Sequence, residues 1–186
     1  MLIWKVLLIL FSSILIFVEN GLSPTTAGKY FEVNLDRFDV LEENKNIWEW
    51  NVKVKKINKT RSLVGYSLFN APVGDDFKVE GKVLKKQGGE YRLLPYNMQP
   101  APFCSTLAKD EYMYPEVAKN SDFPEDVMTN CPFKPNNYSF YGVSISMKNV
   151  PKIIAPSGDY AIEAIIYDPE SSIAAKYRLY VTIIQV

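Results

Sequence analysis

Few residues in this 186-residue chain have the type and spacing to do chemistry. Its two cysteines, Cys104 and Cys131, flank the stretch from residue 105 to 130. They form either one disulfide or a pair of free thiols, one of them a nucleophile. The chain contains no histidine. That removes the usual zinc ligand, the base of Ser-His and Cys-His hydrolases, and the commonest proton shuttle near neutral pH. The paired carboxylates, Glu42-Glu43 and Asp110-Glu111, are adjacent in sequence, and neighbours on a strand or helix point apart, so neither pair can flank one bond. We therefore expect no enzyme, no metal and no cofactor. Asn58-Lys59-Thr60 and Asn137-Tyr138-Ser139 are glycosylation sequons, each where a turn is expected.

Composition narrows the partners. Lys+Arg 21 against Asp+Glu 21 leaves no net charge, whereas a nucleic-acid binder needs a positive field. Apolar residues make up 47% of the chain and aromatic residues 13%, twelve of the latter tyrosine. At the start, Lys5 precedes an apolar run from Val6 to Val18 broken only by Ser12 and Ser13. That run suits a signal-peptide core and falls short of the ~20 residues of a spanning helix. Residues 1–24 are read as a leader cleaved somewhere in 20–27, and 25–186 as one secreted domain. An uncleaved anchor is the alternative, since Met1 to Trp4 would lengthen the span. Secretion favours the disulfide over free thiols.

The elements that must position these residues are strands. Trp48, Trp50, Val52 and Val54 alternate with Glu49, Asn51, Lys53 and Lys55, the pattern of a half-buried antiparallel strand. Val64 to Leu68, Phe77 to Val83 and Tyr91 to Tyr96 continue in the same way, and a strand is also expected at Tyr30–Leu35. Pro95, Pro100 and Pro102 end the regular pattern. Between the cysteines one or two short helices are expected. One is capped by Ser105 or Thr106 and stopped by Pro115, and another starts at Ser121–Asp126. Tyr138 to Met147 then reads as a strand with Tyr141, Val143, Ile145 and Met147 on one face and Ser144 and Ser146 on the other. Tyr160–Tyr167 and Tyr177–Ile184 form a last hairpin, apolar on both faces. Either its sheet is covered on both sides or one face lines an apolar hole. Seven or eight strands with few helices give an all-β fold, an antiparallel two-sheet β-sandwich.

The order of signals carries a resemblance: an apolar leader, a tryptophan-bearing strand, Phe103-Cys104, Cys131-Pro132, Pro156-Ser157-Gly158-Asp159-Tyr160 and a terminal hairpin. It resembles the secreted insect proteins related to the ganglioside activator, the group that includes the CheB chemosensory proteins, and through them the MD-2-related lipid-recognition (ML) superfamily. The resemblance implies a β-cup, an immunoglobulin-like sandwich splayed to admit an acyl chain or sterol, with no catalysis of its own. Members of this group usually carry several disulfides, and this chain has two cysteines in all.

Candidate cavity residues are Trp48, Trp50, Phe77, Val79, Tyr141, Val143, Ile145, Ile162, Ala164, Leu179 and Val181, with Ser144, Ser146 and Tyr141 as polar orienters. The same stripes equally describe an ordinary sandwich core. Lysines 53, 55, 56, 59, 82, 85 and 86 read as a solvated face, or as a patch approaching anionic headgroups. This leaves two functions. The first is a carrier or presenter of a lipid, hydrocarbon or pheromone-like molecule, with a membrane receptor as a further partner. The second is a ligand-free sandwich that binds protein. Unfilled space between the sheets would favour the first.

Overall fold

A computed structural model describes residues 31–111, 113–145 and 157–185. The expected leader, Tyr30, Tyr112, Ser146, Met147 and Pro156 of the Pro156–Tyr160 motif lie outside the described residues.

Among the described residues, eight antiparallel strands form two sheets. The strands are β1 (Phe31–Glu43), β2 (Trp48–Ile57), β3 (Thr60–Phe69), β4 (Lys78–Gln87), β5 (Glu90–Pro102), β6 (Asn136–Val143), β7 (Gly158–Tyr167) and β8 (Ile173–Gln185). The larger sheet has the order β1-β8-β7-β4-β5 and the smaller the order β2-β3-β6. Two short helices, α1 (Phe103–Leu107) and α2 (Tyr114–Lys119), lie between the cysteines. The chain is thus an antiparallel two-sheet sandwich with few helices.

Where alternation is clean, strands fall where the pattern puts them. Where it is broken, bulges are the reason. β1 shifts register between Leu35 and Arg37 and again between Val40 and Glu42. Leu35 and Phe38 therefore both face inward, three positions apart, and the strand runs on to Glu43 instead of ending at Leu35. β5 continues through its prolines to Pro102 because it is an edge strand, where a missing N–H costs no ladder bond. β6 shifts register opposite Leu63/Val64, and Gly142 has φ 127°, a conformation natural to glycine. The phase of the strand flips there. Tyr138, Phe140 and Val143 are buried, while Tyr141 is 64% exposed and its hydroxyl donates to Asp122 at 2.5 Å. The expected Tyr141–Val143–Ile145 face is therefore corrected, and Tyr141 lines no interior.

Three helical expectations also change. Ser105 does not cap a helix: α1 begins at Phe103, and the Ser105 N–H and hydroxyl both donate to Asp75, at 2.7 and 2.5 Å. Pro115 opens α2 rather than ending a helix, while Asp110 accepts the Met113 and Tyr114 N–H groups at 2.9 and 3.1 Å. Ser121–Asp126 forms bends and an isolated bridge from Ser121 to Phe140 instead of a helix, and it is Asp126 that accepts the Thr129 N–H at 3.1 Å ahead of the turn at 127–130. The Ser121 hydroxyl donates to the Val117 carbonyl at 2.6 Å, and Asp122 accepts the Ser139 N–H at 3.0 Å.

The doubly apolar hairpin is covered on its outer face by its own neighbours. Ala161 and Ile165 point outward yet are buried, flanked across the ladders by Tyr180 and Leu84, and by Lys176 and Glu80. Glu163, 5% exposed between them, receives Arg178 at 2.5 Å and Lys176 at 3.3 Å. Beside it Tyr167 donates to Glu80 at 2.6 Å, and Lys82 lies 3.0 Å from the same carboxylate. Burial pushes both carboxyl pKa values up, but it is outweighed by hydrogen bonds from Arg178 and Lys176 at Glu163 and from Tyr167 and Lys82 at Glu80. Both end below the ordinary range, so their ionised forms stabilise the fold at neutral pH. That stability is lost as pH falls through the depressed folded values. The thermal midpoint should be flat from about pH 7 to 5 and fall below about pH 4. Glu163→Gln should make the fall shallower, as followed by circular dichroism melts across pH.

Candidate functional site

The space between the sheets divides in two. At the end carrying the helices it is filled. Trp48, Phe69, Phe103, Phe123, Phe133 and Tyr138 form one aromatic cluster, with Trp48 and Phe69 4.3 Å apart edge to face. The disulfide between Cys104 and Cys131 sits at this end. The Trp48 indole N–H donates to the Ser67 hydroxyl at 2.6 Å. Phe77, Val79 and Val143 belong to the same packed group.

Beyond it the interior loosens. β7 is the middle strand of the larger sheet, and its inner face carries Tyr160, Ile162, Ala164 and Ile166. The end members of that row, Tyr160 and Ile166, are buried, whereas Ile162 and Ala164 retain free surface. The outward-facing Ala161, Glu163 and Ile165 are fully buried. A central strand normally shows the reverse, inner face dry and outer face wet. Directly beside Ala164 on β4 lies Gly81, over which the Met98 side chain packs, 3.4 Å from where a Cβ would stand. Phe38, Trp50 and Tyr177 keep partial exposure, with ring centroids 5.0 to 5.6 Å apart. All of these are apolar, and Phe38, Trp50 and Tyr177 pack against the buried cluster as its partly exposed margin.

The partly exposed apolar surface continues toward the far end of the sandwich. There Leu35, Tyr160, Leu179 and Val181 are buried, while Val33, Val54, Leu63, Val83, Leu94, Ile145 and Ile183 are only partly so. The strands β1 to β5 and β8 all contribute to that ring of half-buried apolar side chains. A polar rim flanks it. Arg61 pairs with Asp36 at 2.9 Å, Thr182 donates to Asp36 and Asp159, and Lys86 pairs with Asp159 at 3.2 Å. Lys85 lies over the Tyr160 ring, 5.3 Å from its centroid.

Of the residues singled out from sequence, Trp50, Ile162, Ala164 and Ile145 are partly exposed, and Leu179 and Val181 are buried. Trp48, Phe77 and Val79 fill the packed end, Val143 is buried across from Leu63 toward the far end, and Tyr141 is outside. Phe38, Leu63, Val83 and Tyr177 were not singled out. Tyr177 and Val83 share the alternation of Leu179 and Val79, a signal that would have found them, whereas Phe38 was hidden by the bulge before it. Asn58 occupies a two-residue hairpin turn with Lys59, both at positive φ and exposed, and Asn137 is exposed on β6. A separate surface groove of about 690 Å³ lies wholly on residues between the cysteines, lined by Tyr114, Val127 and Met128 and by Asp110, Lys119, Glu125 and Asp126. It opens outward from the insertion and does not reach between the sheets.

A family model described as "Protein of unknown function (DUF1091)" matches residues 79–162, from β4 into β7 and across both cysteines. No curated protein sequence matches the chain. Among solved structures, chicken MD-1 complexed with lipid IVa is similar over 85% of this chain and 92% of that one, at 11% sequence identity and a TM-score of 0.31.

Proposed function

We propose that this chain is a secreted, non-enzymatic carrier or presenter of an elongated hydrophobic molecule held between its two sheets. The observation that carries the reading is the inverted burial of β7, whose inner Ile162 and Ala164 keep free surface while its outer face is dry. An apolar surface edged by aromatic rings suits an acyl chain, a sterol or a hydrocarbon. The half-buried ring at the far end supplies the way in, and the polar rim stays with solvent. The disulfide and the exposed Asn58 and Asn137 sequons fit passage through an oxidising secretory route. Presentation of the ligand to a membrane receptor, including in chemosensory perception, rests on the sequence resemblance to the CheB group.

Ala164→Phe tests this reading by placing a ring on that inner surface. A fluorescent acyl or sterol probe should bind the native protein with micromolar or better affinity, of order −8 kcal/mol. In Ala164→Phe the binding should weaken at least about tenfold, with the melting temperature unchanged or raised, whereas overpacking a filled core would cost about 1–3 kcal/mol. No binding across fatty acids, sterols, hydrocarbons and glycolipids, together with a destabilised Ala164→Phe, would sink the carrier.

A further inference from the structure

The insertion between the cysteines carries a groove that the carrier reading leaves unused. Its volume of about 690 Å³ falls inside the roughly 300–1,000 Å³ of ordinary binding clefts. Its buried lining residues are Tyr114, Ala118 and Val127, with Leu107 half-buried. Met128 lines it with 55% of its surface exposed, and an exposed methionine is an adaptable contact for another protein's apolar side chains. The groove is braced before anything binds. Asp110 accepts the Met113 and Tyr114 N–H groups at the start of α2. Asp126 accepts the Thr129 N–H and hydroxyl, at 3.1 and 2.5 Å, and so holds the turn that carries Val127 and Met128. The Tyr114 hydroxyl donates to the Pro124 carbonyl at 2.6 Å and ties α2 to that stretch. A preformed groove loses little freedom when it is filled.

The charges along it are one-sided. Asp110, Glu125 and Asp126 line the groove against Lys119. They do not converge on a metal: among the described residues no three carboxylates there bring their oxygens within 4.8 Å of one another. Carboxylates spread along an apolar groove match positive charges spread along a chain, and they repel an anionic headgroup. We propose that this groove docks a short segment of a partner protein. That segment places a bulky apolar side chain against Tyr114, Ala118 and Val127, with lysines or arginines flanking it. The proposal stands apart from the carrier reading, because every residue lining the groove belongs to the insertion.

The probe is a blocked octapeptide, glycine at each end and two lysines on either side of Leu-Phe, titrated into the ¹⁵N-labelled protein. Amide shifts should saturate and centre on 107–128. The lysine peptide should bind at least about tenfold tighter than the same peptide with glutamates in place of the lysines. It should also bind about tenfold tighter than one with Gly-Gly in place of Leu-Phe, because exposed ion pairs alone contribute little. Glu125→Lys, at an exposed position, should weaken the lysine peptide about fivefold and strengthen the glutamate one. Equal binding of the lysine and glutamate peptides would overturn the proposal, as would equal binding of the Gly-Gly peptide or shifts centred outside the insertion. Octyl glucoside binding the groove more tightly than the lysine peptide would make it a lipid site and overturn the protein partner. No saturable binding up to about 1 mM would overturn it too, and would leave the carrier, which acyl probes test separately, where it stands. Should Glu125→Lys fold poorly, the three peptides on the native protein still decide.

Discussion

Replacing Cys104 and Cys131 together by alanine lowers the stability of the folded chain by about 3.5 kcal/mol and its thermal midpoint by roughly 10 °C. The cross-link closes the loop from 105 to 130, which contributes no strand to either sheet. Its helices have five and six residues, too short to hold themselves together in water. Only Tyr114, Ala118, Phe123 and Val127 are buried from it beside the cysteine ends. Without the bond, closure of that loop must be met by those contacts alone. Alanine is the better replacement, because Cys104 is wholly buried and a serine hydroxyl there would add its own desolvation cost. Urea unfolding gives the stability, and hydrogen exchange locates the loss: amides of 105–130 should lose protection well before those of β7 and β8. The ligand place proposed above lies at the other end of the interior, so apolar probes should still bind below the melting temperature. A double variant melting within about two degrees of the native protein would show that the aromatic contacts hold the insertion unaided.

The legible part of this fold was its periodicity. Trp48 to Val54 and Tyr160 to Ile166 alternate without interruption, and their faces are the observed ones. The illegible part was every place where one residue is added to a strand. Asp36 and Gly142 each reverse the phase of the residues after them, so Phe38 was not recognised as inward and Tyr141 was placed on the wrong side. No composition rule marks a bulge, because its signature is a broken pattern that equally describes a loop. The helices failed for a related reason. Ser105 and Ser121 have the chemistry of caps, and their hydrogen bonds go to Asp75 and Val117, partners known only once the chain is folded.

The candidate site was half legible. Two apolar faces on the last hairpin pose the choice between a sheet covered on both sides and a hole, and the outer face is covered. Long side chains cover the outer face, a solution visible only when Glu163 is seen against Arg178 and Lys176. The free surface on Ile162 and Ala164 depends on how far three strands can cover five, a property of topology and not of any local stretch. Depth along the sandwich was also beyond the sequence. Trp48 and Trp50 share a face and stack with centroids 5.4 Å apart, yet one is buried in the core and the other, packed against it, keeps partial exposure.

Phe69→Ala should cost about 3–5 kcal/mol, the range for removing a buried aromatic whose site cannot collapse. Phe69 is 1% exposed and ends β3 where three parts of the chain meet. Its ring lies against Trp48 from β2 at 4.3 Å and Tyr138 from β6 at 5.1 Å. Phe123 from the disulfide-closed insertion and Phe133 after it stand 5.9 and 6.1 Å away. Four rings therefore lose a common partner at once, and edge-to-face pairs contribute about 0.5–1.5 kcal/mol each beyond their buried area. Collapse into the space is blocked because Trp48 is tied to Ser67 and Phe133 is tied by paired backbone bonds to Val73, at 3.0 and 2.9 Å. The thermal midpoint should fall by roughly 10 °C or more, with reduced near-ultraviolet dichroism from the aromatic cluster. The comparison that gives this result meaning is Ala164→Phe at the other end of the interior. If removing a ring from the packed end is severe while adding one to the floor of the larger sheet is tolerated, the interior is asymmetric, solid beneath the disulfide and hollow beyond it. Equal and large losses at both positions would mean a sandwich filled throughout, with no room for a ligand between its sheets.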